Sequence, residues 1–306
     1  MIKKIFLIAS CVVYATLRCI AQSSSSFDKE YVLAKEIIGA SRFKVFLNYN
    51  NLKIFIGTAY GNIQYGPKGL VTFIHESSHI YDNIKSAGMR DMRYYWSDSN
   101  QLLEVRVTPN YITSDSIASI LPDYVTNKPL TQTYILCKGD CLSRSYGIFG
   151  LLEEFNAYSL EARSLVDMFG FFETCSYTNR PTFWEGYLKS TYDSWINFYY
   201  FNIFFSTYLK YASMQRRGFY NSLVNDGHFT NTFSQIYNKY NEALTALDSI
   251  NRKVRVKVSS GNKKIYSYPF MEDYNSIRAL AEDNETKLYL SMLLKIALKE
   301  QRSSSR

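Results

Sequence analysis

Apolar and polar positions follow two different periods along this chain. Between Phe43 and Thr58 the period is close to two. Phe43-Lys-Val-Phe-Leu and Leu52-Lys-Ile-Phe-Ile flank the turn-prone Asn48-Tyr-Asn-Asn, which predicts a hairpin. Gly61 to Gly69 reads as a loop. From Gly69 to about Lys85 the period lengthens to that of a helix, with Leu70, Phe73, Ile74, Ser77, Tyr81 and Ile84 on one side. Leu102 to Thr113 reads as a strand region, with Val105 and Val107 spaced by two. Leu121 to Ser145 is rich in loop signals. Beyond it helical spacing dominates: Ile148–Phe169, one long helix or two over Trp184–Arg217, then Phe229–Ile250 and Tyr274–Lys299. Ser194 to Leu209 carries no charge, but it is too short to span a bilayer and Asn197 and Asn202 interrupt it. It is expected to be a central buried helix.

These elements predict an α+β protein. A sheet-and-helix lobe would occupy residues 22–145 and a mainly helical lobe residues 146–300, with 301–306 a disordered tail. A site between two such lobes is a common arrangement for enzymes. Tyr and Phe are numerous, 27 and 20 of 306 residues. This predicts a core that uses aromatic rings where other proteins use Leu.

Residues 1–21 read as a secretory signal. Lys3 and Lys4 are basic, Ile5 to Thr16 is apolar and short, and Cys19-Ile-Ala21 ends in a small residue. Arg18 sits where a lipoprotein signal wants a small residue, so the expected product is soluble, secreted or periplasmic, with no integral membrane span. An uncleaved signal would leave it anchored. Loss of Lys3, Lys4 and Arg18 lowers the formal charge from +8 to +5. No dense basic run accompanies that charge, which argues against a nucleic-acid partner. Five cysteines become three, Cys137, Cys141 and Cys175. An oxidising compartment and the tight loop around Gly139 favour a Cys137–Cys141 bridge, with Cys175 the competing partner.

Candidate chemistry is concentrated in Phe73-Ile-His-Glu-Ser-Ser-His-Ile-Tyr81. Residues four apart share a helical face, so His75 and His79 can direct imidazole nitrogens at one metal ion. Glu76 lies about 100° further round the axis, where it can reach a metal-bound water rather than the metal. The chain has three histidines, and two are here. A catalytic zinc site usually takes three protein ligands and keeps one position open. Asp82 and Lys85 stand where the longer H-E-x-x-H-x-x-G-x-x-H pattern needs Gly and His, so the third ligand must come from elsewhere.

Gly150-Leu-Leu-Glu-Glu-Phe-Asn-Ala-Tyr158 holds the better candidate, the alternative being a surface Glu in a helix salt bridge. The apolar stripe of this predicted helix is Leu151, Phe155, Tyr158, Ala162, Leu165 and Phe169. Glu154 borders the stripe by roughly 60°, whereas Glu153 points about 160° away and is expected to face water. Glu154, at the edge of the buried side, needs a cationic partner.

H-E-x-x-H followed by a Glu on a later helix resembles the gluzincin branch of the zincin metallopeptidases. Glu154-Phe-Asn-Ala157 matches the first four positions of the E-x-x-A-D motif that several branches carry, and Tyr158 replaces the final Asp. The resemblance covers about 90 residues and leaves open which residue supports a histidine ligand from behind. It implies a zincin-like first lobe, a bound Zn²⁺, a peptide or protein substrate, and Glu76 as general base. It also calls for an oxyanion donor besides zinc, for which His228, after Asp226-Gly227, and Tyr158, one turn beyond Glu154, are candidates. Substrate would lie as an added strand along Leu52–Thr58. Two alternatives compete: hydrolysis of another amide such as a cell-wall peptide, and a non-catalytic binding or surface-interaction protein on the same scaffold. Intact Glu76 argues against a disabled site.

Overall fold

The computed structural model describes residues 66–89, 91–97, 101–108, 111–139, 141–179, 181–259 and 271–304. The expected signal segment, the hairpin and the edge strand Leu52–Thr58 lie outside these. The described chain is mostly helical with one small two-stranded antiparallel sheet. Helix α1 (Lys68–Ser86) is followed by β1 (Met92–Trp96) and β2 (Leu102–Arg106). A 3₁₀ turn at Ser114–Ile120 leads to three short helices, α2 (Asp123–Thr126), α3 (Pro129–Tyr134) and α4 (Leu142–Tyr146). Long helices then follow: α5 (Ile148–Thr174), α6 (Pro181–Gln215), α7 (Arg217–Val224), α8 (Gly227–Ser259), α9 (Met271–Ala281) and α10 (Asn284–Ser304).

The sheet is held to α1 by a spacing match. Ser86 Oγ accepts from the Tyr94 N–H at 3.1 Å, and Asp82 Oδ1 accepts from the Trp96 N–H at 2.8 Å. Two helix residues four apart rise about 6 Å, close to the rise of two strand residues, so α1 can cap alternate N–H groups along one edge of β1. The Trp96 carbonyl is taken by Asn156 Nδ2 of α5 at 2.7 Å, so one strand residue ties α1 to α5. In β2, Leu103 and Val105 point inward and their neighbours outward, as the period of two requires. On the far side Thr232 Oγ of α8 donates to the Glu104 carbonyl at 3.2 Å. One hydrophobic core therefore runs from Leu70 to Leu293, across the expected lobe boundary.

Helix α5 is the central element, packed by α1, α4, α6 and α8. It starts at Gly147, whose φ of 58° and approach to the Ile112 carbonyl leave no room for a side chain. Phe155 of α5 is fully buried among Phe198, Phe201, Phe205, Phe233 and Tyr240, with ring centroids 5.2–6.2 Å apart. The aromatic core expected from composition is thus built on this helix, and Ser194–Leu209 is buried against it within α6.

Several elements differ from their expected form. Trp184–Arg217 falls largely within one helix that ends at Gln215, and Tyr274–Lys299 is two helices parted at Glu282-Asp283. The segment 121–145 holds three short helices. Strand β1 went unforeseen, and the strand after it ends at Arg106. Helix α10 runs to Ser304, into the expected disordered tail. Cys137 and Cys141 are joined, with Cα atoms 6.5 Å apart, and buried Cys175 donates to the Phe171 carbonyl. Gly139 is not among the glycines with positive φ. No described helix is long and apolar enough to cross a membrane.

The ring cluster around Phe155 sets the first expectation. Phe155→Ala should cost about 3–5 kcal/mol of stability, the usual loss for a large buried aromatic. Denaturant unfolding measures it, and a loss below about 1 kcal/mol would mean that α5 is not the centre of the core.

Candidate metal centre

Helix α1 turns its two histidines toward α5. His75 Nε2 and His79 Nε2 are 3.1 Å apart, and each lies 3.3 Å from Glu154 Oε2. All three side chains are at least largely buried, and together they form a group that could hold a metal ion. The fit rests on donor chemistry: two imidazole nitrogens and one carboxylate oxygen lie within 3.3 Å of one another. The spacing on α1 and the later Glu154 are thus brought together as the sequence predicted.

Glu153 departs from expectation. It does not face water. It is 0% exposed, and its Oε1 lies 3.2 Å from His79 Nδ1. Its Oε2 accepts from Arg93, which β1 sends into the interior. The Arg93 guanidinium also donates to Asn83 Oδ1 at 3.2 Å and lies over the Tyr146 ring. Assigning one stripe to α5 misplaced Glu153, because this helix is covered on nearly all sides.

Glu161 was also missed. Its Oε1 lies 3.1 Å from His75 Nδ1, at ion-pair distance though off the best hydrogen-bond line. A signal for it exists in the sequence: Glu154, Tyr158 and Glu161 are spaced i, i+4, i+7 and share one helical face.

Tyr158 packs edge-on against the His75 ring at 4.7 Å, and its hydroxyl is 2.7 Å from that of Tyr134 on α3. Burial, reinforced by nearby carboxylates, pushes both phenols up, so both stay protonated at neutral pH. Within the pair one hydroxyl accepts and keeps its own hydrogen for another partner. A cleft of about 480 Å³ opens in front of this group, lined by His75, Glu76, Tyr134, Tyr158 and Glu161, with Asp193 of α6 on the facing wall. Glu76 is half-buried there. His228 is exposed at the start of α8, its backbone N–H bonded to Asp226, and it does not line the cleft.

The electrostatics are set by carboxylates. Burial pulls His75 down, but Glu154 and Glu161 outweigh it and bring it up to about 9. Burial likewise opposes a charge on His79, yet Glu153 and Glu154 raise it to about 10. Burial would raise Glu154, but the two histidines hold it down at about 2. Without a metal ion, protons supply the positive charge that these acids require. Asp82, wholly enclosed, is pushed up by that enclosure and by Glu153.

No family model, curated protein or solved structure matches this chain. Its functional reading therefore rests on the residues and geometry of the site.

These shifts fix a pH dependence. At pH 7 the metal-free cluster holds at least one proton more than two neutral imidazoles, and a cation must expel it. Metal affinity should therefore rise with pH from 6 toward 9, by about tenfold per pH unit for each proton expelled. For the metal-free fold the sign reverses. The raised histidines stabilise it fully below their usual 6.5, and that stability is lost as pH rises through about 9 to about 10. Titration calorimetry in buffers of different ionisation enthalpy reads the released protons. Affinity unchanged between pH 6 and 8 would contradict this picture.

Proposed function

We propose that the chain is a secreted zinc metallopeptidase of the zincin type, with His75, His79 and Glu154 as ligands and Glu76 as general base. The observation that carries this reading is the spacing of the three donors. A tetrahedral zinc ion with bonds of about 2.0–2.1 Å needs its ligands about 3.3–3.4 Å apart. The separations here are 3.1, 3.3 and 3.3 Å. Two imidazoles and one carboxylate are also the ligand set of known zinc hydrolases. The zincin-like character of the first lobe and the secretory signal belong to the same proposal.

When bound, zinc supplies Lewis acidity, which polarises a carbonyl and makes water acidic enough to attack near neutral pH. Glu76 lies next to His75 in the chain and lines the same cleft. Its carboxylate takes a proton from the attacking water and returns it to the departing amine. The Tyr134–Tyr158 pair keeps a hydroxyl hydrogen available in the cleft, where it stabilises negative charge growing on the carbonyl oxygen. His228 does not line the cleft, so Tyr158, backed by Tyr134, is the donor of choice. Glu154 and the two histidines are largely buried, and charge interactions are stronger in such a setting than in water.

Glu76→Gln should lower peptide hydrolysis about 10²–10⁴-fold, the usual share of a general base, and should keep its zinc. His79→Ala should lose metal and activity together. A quenched peptide library with zinc-loaded protein, with and without chelator, gives the activity, and elemental analysis gives the metal. Undiminished cleavage by Glu76→Gln would refute the mechanism. If zinc-loaded wild type cut neither peptide nor cell-wall substrates, the binding-scaffold alternative would take its place.

A further inference from the structure

Resting on the metallopeptidase reading, we infer that Glu161 and Glu153 are positioning residues that fix His75 and His79 for metal binding. A metal takes the bare lone pair of one imidazole nitrogen, so the other nitrogen must carry the hydrogen. Here both Nε2 atoms face Glu154, and both Nδ1 atoms face a carboxylate. Glu161 Oε1 stands 3.1 Å from His75 Nδ1, and Glu153 Oε1 stands 3.2 Å from His79 Nδ1. Glu153 accepts a hydrogen bond from His79 Nδ1, and Glu161 stands at ion-pair distance from His75 Nδ1, so each carboxylate favours the tautomer with hydrogen on the nitrogen that faces it. Partners of this kind also raise the basicity of the ligand nitrogen.

All of this comes from one helix. Glu153 precedes the third ligand by one residue, and Glu161 follows it by two turns, so α5 grips both imidazoles as well as supplying Glu154. The position one turn after Glu154 holds Tyr158, which cannot act as an anionic acceptor at neutral pH. Glu161, one turn further on, takes that part.

The two acids are not equivalent. Glu153 is fully enclosed and shares its charge with Arg93, which is held in turn by Asn83. Glu161 lies at the cleft edge, and His75 is its ion-pair partner. The undivided charge of Glu161 acts on His75, whereas Arg93 tempers the pull of Glu153 on His79. Replacing Glu153 would strand buried Arg93 and endanger folding. Glu161 is therefore the residue to vary.

The experiment uses the full mature chain as wild type, Glu161→Gln and Glu161→Ala. Zinc affinity is measured by competition with a chelator dye at fixed pH. The ring nitrogens are read by ¹⁵N NMR, which is tractable because the chain has three histidines. Zinc-loaded wild type should show two rings bound through Nε2 with hydrogen on Nδ1. Glu161→Ala should lose about 10–100-fold in zinc affinity. Its His75 Nδ1–H signal should shift or broaden while those of His79 stay in place. Glu161→Gln should fall between, since an amide oxygen keeps a dipole toward Nδ1 but not the charge. A Glu161→Ala protein that binds zinc as tightly as wild type overturns the inference and leaves the metal site standing. So does one that loses thermal stability with its His75 signals unmoved, since that marks a structural role. If wild type binds no zinc, the metal reading itself fails and this one with it.

Discussion

Where α1 crosses α5, three carboxylates from one helix meet two imidazoles from the other, in a place with little water. Glu153, Glu154 and Glu161 cannot all stay charged there without compensation. Arg93 supplies part of it from β1, and the histidines supply the rest, as proton carriers or as ligands of a cation. The packing of α1, the inward turn of Arg93 and the position of β1 follow from meeting that demand. Trp96 shows how tightly the parts are coupled, since its N–H and carbonyl bind α1 and α5 respectively.

The aromatic core makes such a cluster tolerable. Phe155 adjoins Glu154 in the chain and lies about 100° further round the helix, wedged among rings from α6 and α8. Its burial provides the favourable apolar contribution on one face of α5 that offsets desolvated acids on the other. A helix exposed on one side would have let the carboxylates turn to solvent.

How much of this could be read from the sequence depends on whether one helix sufficed to decide it. The pair His75 and His79, with Glu76 beside them, follows from helical period alone. Glu154 follows from period plus the cost of a half-buried charge. Glu161 was within reach, since it shares a face with Glu154 and Tyr158. Glu153 was not. Its environment is set by α1 and β1 arriving over the supposed solvent face, and no pattern within 148–174 reports that. Strand β1 was obscured for a related reason. Met92-Arg-Tyr-Tyr-Trp96 places Arg93 inward against Glu153, so its alternation of apolar and polar residues is inverted where it matters. His228, a candidate by resemblance because it follows Asp226-Gly227, is set at a helix start on the surface.

The walls of the cleft come from widely separated parts of the chain: Lys68 to Glu76, Lys128 to Tyr134, Tyr158 and Glu161, Ser190 to Tyr200, and Asp273 to Ile277. No short contiguous piece of the chain therefore carries the cleft. Among the described residues the lining runs from Lys68 to Ile277, and a truncation before α9 would keep all three candidate ligands while removing the side of the cleft that Asp273 and Ile277 form. Ligand retention and cleft integrity are thus separable by where the chain is cut, because the residues that bind and the residues that enclose were laid down in different stretches of it.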